Sequence, residues 1–134
     1  MDYYYSTVIR GDFADAVSRA REALKAEGFG VISEIDIQKT LKDKIGVDFR
    51  PYLILGACNP TLAHEALQLE DKVGTMLPCN VVVQQSGDGV EVAAINPVSS
   101  MQAIENDELA QKAKVVAGKL RRVIDSLRTG ATTP

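Results

Sequence analysis

One histidine and two cysteines are all the imidazole and thiol that the 134-residue chain offers to a metal. A zinc site needs three or four ligands and no Cys-x-x-Cys spacing is present, so the pattern speaks against zinc, while a copper(I) pair needs fewer ligands and stays open. Gly-x-Ser-x-Gly, a glycine-rich phosphate loop and His-Glu-x-x-His are missing too, which removes the common hydrolase, nucleotide and metalloprotease signatures. There is no excess of positive charge. A net charge of -3 and an isoelectric point near 5.1 leave no electrostatic footprint for nucleic acid or an anionic membrane. No apolar run approaches the length of a membrane span, and Met1 to Tyr5 lacks the basic and apolar regions of a secretion signal. These absences predict a cytoplasmic protein whose cysteines are reduced thiols rather than a structural disulfide.

What is present is apolar material. Hydrophobic residues make up 46% of a 14.5 kDa chain, enough for one core without disulfide or metal staples. The expected organisation is a single domain over residues 1–128, with its core at 3–98, a C-terminal helix at about 107–127 and a frayed tail at 129–134.

Changes of hydrophobic period divide the chain into elements. Residues 3 to 10 alternate, with Tyr3, Tyr5, Thr7 and Ile9 on one face of a strand. Asp12 then caps a helix carrying Phe13, Val17, Ala20 and Leu24, which Gly28 closes. Phe29 to Ile35 reads as a second strand with Val31, Ser33 and Ile35 on one face, and Ile37, Leu41 and Ile45 as a short helix ended by Gly46. Tyr52 to Cys58 is apolar on both faces, as expected of a central strand. Asn59 at N-cap and Pro60 at the first helical position open the next helix. Strands at Cys79 to Gln85 and Val90 to Ile95 meet across Ser86-Gly87-Asp88-Gly89, where the Asp-Gly step signals an antiparallel hairpin. Asn96-Pro97 ends the sheet. In the last helix Leu109, Ala113, Val116, Leu120, Val123 and Leu127 form a stripe that suits packing on a sheet and also has the spacing of a coiled-coil seam. The expected fold class is α+β: a curved, mainly antiparallel sheet with helices packed on it, in the order β-α-β-(α)-β-α-β-β-α.

Four ordered segments, Glu27 to Val31, Gly46 to Tyr52, Leu55 to Pro60 and Leu77 to Val83, resemble the bacterial and archaeal family called Domain of Unknown Function 302. The resemblance spans about residues 3 to 98. It implies one α+β domain with a curved antiparallel sheet, helices on one side and commonly a homodimer. It implies no activity, and it does not reach the helix after Glu105.

Six residues are candidates for a site. Cys58 and Cys79 each precede an asparagine at the edge of an apolar run, where a cysteine is commonly a small core hydrophobe. Cys58 also precedes a helix N-terminus, whose dipole favours the reactive thiolate. Antiparallel neighbouring strands would place the two cysteines together on one side of the sheet near Asn59 and Asn80; parallel strands would separate them. Asn80 opens a valine run, against strand propensity, and Arg50 borders another apolar run. His64 lies on a helix beside Glu65, where a lone histidine is more often solvent-facing than a ligand. Glu34 and Asp36 read as cap chemistry. No catalytic constellation can be assembled from these residues. The expectation is a non-catalytic homodimeric module that binds a partner or a small apolar ligand. The alternatives are a thiol-redox or copper(I) protein using Cys58 and Cys79, and a structural dimer with inert cysteines.

Overall fold

A computed structural model describes residues 2–130. Five strands, β1 (Tyr4–Ile9), β2 (Gly30–Asp36), β3 (Tyr52–Cys58), β4 (Cys79–Ser86) and β5 (Gly89–Ile95), form one sheet in the order β1-β5-β4-β3-β2. Every neighbouring pair is antiparallel. The α+β reading and the β4–β5 hairpin hold. The centre of the turn is Gly87-Asp88 rather than the Asp-Gly step, because Ser86 pairs directly with Gly89 and Gly87 takes a φ of 59°. Glycine at the first central position supplies the positive φ that a two-residue hairpin needs. Gly89 stays free of a side chain for another reason: a Cβ there would lie 2.8 Å from Val8.

The five long or short α-helices are α1 (Phe13–Ala26), α2 (Ile37–Ile45), α3 (Pro60–Leu69), α4 (Pro97–Ser100) and α5 (Asp107–Gly130), with a 3-10 helix at Asp71–Met76. The caps follow the side-chain chemistry. Asp12 accepts from Asp15 N, Asp36 from Lys39 N, and Asn59 from Leu62 N. Asn96 does the same for Val98 N, so Asn96-Pro97 starts α4 as well as ending the sheet. Thr129 and Gly130, expected to fray, belong to α5, and residues 131–134 lie outside the described residues.

One sheet face carries Ile9, Leu55, Ala57, Cys79, Val81, Val83, Val90, Val92 and Ala94 against Ala16, Ala20 and Leu24 of α1 and Leu120, Val123, Ile124 and Leu127 of α5. The α5 stripe therefore packs on its own sheet, and the buried Ala117 and Ile124 make it broader than a coiled-coil seam. A second, smaller cluster joins Ala66, Val73 and Leu109, with Leu69, Leu77, Met101 and Ile104 against it.

Strand β2 departs from the alternation read in the sequence. Val31 pairs with Ala57 and Ser33 with Gly56, which leaves Ile32 as an extra residue in a bulge. The bulge flips the alternation, so Val31 and Glu34 share the helix-covered face while Ser33 and Ile35 take the other. Glu34 accordingly reaches Arg21 of α1 at 3.2 Å.

Candidate functional site

Between the two apolar clusters lies a cavity of about 330 Å³. Its floor is Ala57, Cys58 and Cys79 at the ends of β3 and β4; its walls are Leu62, Ala63 and Ala66 of α3 and Leu109, Lys112, Ala113 and Val116 of α5. Four alanines, at 57, 63, 66 and 113, face one another there. Side chains this short leave the space between three elements unfilled, where larger ones would close it. The bulge residue Ile32 also lines it while remaining 66% exposed, so it stands at the opening. Bulges recur beside functional sites because they re-aim a side chain in this way.

The polar groups in the lining are few. Asn59 caps α3, its Oδ1 accepting from Leu62 N at 3.2 Å. Its Nδ2 would sit 3.1 Å from a Cβ at Gly28, whose φ of 85° also favours glycine. Lys112 ion-pairs with Glu65 of α3 at 3.0 Å, both side chains being about two-fifths exposed. This pair joins the two helices that wall the cavity.

Both cysteines are free and both border the cavity. They are close in the fold. Cys79 pairs with Ala57, and Cys58, the next residue, pairs with Gly30, so the antiparallel pairing brings the two strand ends together one residue out of step. Burial pushes the Cys79 thiol up to about 11, with the charge of Cys58 a lesser cause. At neutral pH Cys79 is a protonated, apolar part of the wall and a poor nucleophile. Among the described residues no group of three or more His, Cys, Asp and Glu side chains could hold a metal ion.

The other candidates are scattered. His64 is exposed on α3 and does not line the cavity; Asn80 is exposed on the sheet face away from α1 and α5. Arg50 lies at the opposite end of β3 from Cys58. There its guanidinium stands 4.3 Å from the Phe49 ring centre and its Nε donates to Gln84 Oε1, while Gln84 Nε2 donates to Glu91. Arg50 and Asn80 are thus separate from the cavity. Lys112, Ala63 and Met101 line it and were not singled out in the sequence; the small residues repeated on α3 and α5 were the signal that could have found them.

The sequence matches the family described as Domain of unknown function DUF302 over residues 5–127. The chain belongs to the DUF302 family. The match extends through most of α5, so that helix is part of the family domain and not an addition to it. A crystal structure of an uncharacterized conserved DUF302 protein from Bacillus stearothermophilus is similar to the chain, with a TM-score of 0.89 and 29% identity over 96% of this chain and 100% of that one. No curated protein matches the chain. Among the described residues no helix is long and apolar enough to cross a membrane.

Proposed function

We propose that this DUF302 protein is a non-catalytic, cytoplasmic, homodimeric binder of a small apolar molecule. The observation that carries the reading is the alanine-walled cavity, whose volume of about 330 Å³ falls within the range of small-molecule sites. An apolar lining with a few polar groups at the rim suits burial of hydrocarbon, and the buried neutral Cys79 offers no nucleophile. A thermal-shift screen of apolar metabolites tests this reading. A ligand at 100 times its dissociation constant should add about 2.7 kcal/mol of stability. Ala113→Phe, which fills the cavity from α5, should cancel the shift. Silence across the whole screen would count against it.

The dimer has its own support. On the sheet face that α1 and α5 leave uncovered, Ile35 pairs with Ile54, Ile54 with Val82 and Val82 with Ala93, a continuous apolar ladder across four strands. Arg50 and Glu91, connected through Gln84, place both signs of charge beside this ladder. A two-fold interface requires such self-complementarity, which supports a second copy of the chain as the occupant. Edge-to-edge pairing through β2 is disfavoured by its bulge and by Glu34 and Asp36.

A further inference from the structure

The proposed cavity reading leaves the chemical class of the ligand open, and the rim narrows it. Resting on that reading, we infer that the ligand is a free aliphatic monocarboxylate whose tail fills the cavity and whose carboxylate pairs with Lys112. Apart from the two thiols, Lys112 is the one ionisable side chain in the lining. No acidic residue lines the cavity itself, and the carboxylate already at the ammonium group is that of Glu65 beside it. Lys112 lines the apolar cavity while 37% of its side chain stays exposed, as suits a long cationic side chain with an apolar stem and a charged end.

Glu65 now occupies the ammonium group's anionic partner position, at 3.0 Å. It belongs to α3 and its side chain is 40% exposed, so it can return to water at little cost when another carboxylate arrives. The Glu65 carboxylate thereby marks where the ligand's head group would sit. Exchange of one carboxylate for another keeps the charge balance at the rim and adds the burial of the tail. The size of the tail follows from the volume. An apolar cavity of about 150 Å³ accepts benzene, so at the same filling about 330 Å³ corresponds to roughly a dozen carbons.

Calorimetric titration of the full chain with decanoate and 1-decanol, below their aggregation concentrations, tests the head group separately from the tail. Decanoate should bind with one site per chain and about tenfold more tightly than 1-decanol. Lys112→Met should lose that factor for decanoate and leave 1-decanol within about twofold. Glu65→Gln, which removes the competing carboxylate, should tighten decanoate. The double exchange Glu65→Lys with Lys112→Glu keeps an ion pair across the helices and should reverse the preference, taking decylammonium over decanoate. Equal binding of decanoate and 1-decanol, unchanged in Lys112→Met, would overturn the head-group assignment while the cavity reading stood. Failure of both amphiphiles to bind the unaltered chain would overturn the two together.

Discussion

Ala57, and not Cys58, is the residue paired with Cys79 across β3 and β4. Two cysteines that share a cavity wall are thus not a cross-strand pair, and they differ in burial. Cys58 is half-buried while Cys79 is 7% exposed. In native protein at neutral pH, iodoacetamide should modify Cys58 in a single phase and reach Cys79 only on unfolding. Cys58→Ser should abolish that phase, and an apolar ligand in the cavity should slow it. Peptide mass mapping after a timed quench checks both outcomes; prior labelling of Cys79 would refute the burial argument.

The Cys79 thiol also sets a pH dependence. Its value in the folded chain is about 11 against an ordinary 9.0, so between these pH values the folded state retains a proton that the unfolded state has lost. Stability from this group is complete below about pH 9 and falls as pH rises toward 11, by about 2 to 3 kcal/mol in total. Urea unfolding at pH 8, 9.5 and 11 should show the decline. Cys79→Ala should flatten it, since alanine has no proton to lose.

The apolar ladder on the open sheet face predicts a mass by light scattering of twice 14.5 kDa at micromolar concentration. Ile54→Lys puts an ammonium group in the middle of that ladder, next to Ile35 and Val82. The variant should scatter as a monomer and keep its helical circular dichroism, because Ile54 points away from α1 and α5. A monomeric parent, or a dimer that Ile54→Lys leaves intact, would rule out this face.

How far the sequence led is clearest at its two Asn-Pro steps. Asn59-Pro60 was legible as the start of α3, but the same chemistry at Asn96-Pro97 was read only as the end of the sheet, because α4 is four residues long and has no apolar period of its own. Strand β2 was legible as a strand and not in its facing, since one extra residue at Ile32 has no compositional mark. The core stripe of α5 was legible because its apolar residues recur along one helix. The cavity was not, because it consists of missing volume between Ala57, Ala63 and Ala113, which belong to three different elements and meet only in the fold. Gly56 shows the reverse case: a glycine inside an apolar strand looked unremarked in the sequence, yet a Cβ there would collide with Ser33 and the Pro78 ring.

The claim that the alanine-walled cavity takes an apolar ligand is tested most directly by titrating 1-decanol into protein labelled at its alanine methyl groups and following them by NMR. The account predicts saturable, one-site shifts at Ala57, Ala63, Ala66 and Ala113, with Ala93 on the opposite sheet face unmoved and with Ala113→Phe silencing the response. Shifts centred on Ala93, or no saturable shift at the four cavity alanines, would contradict it.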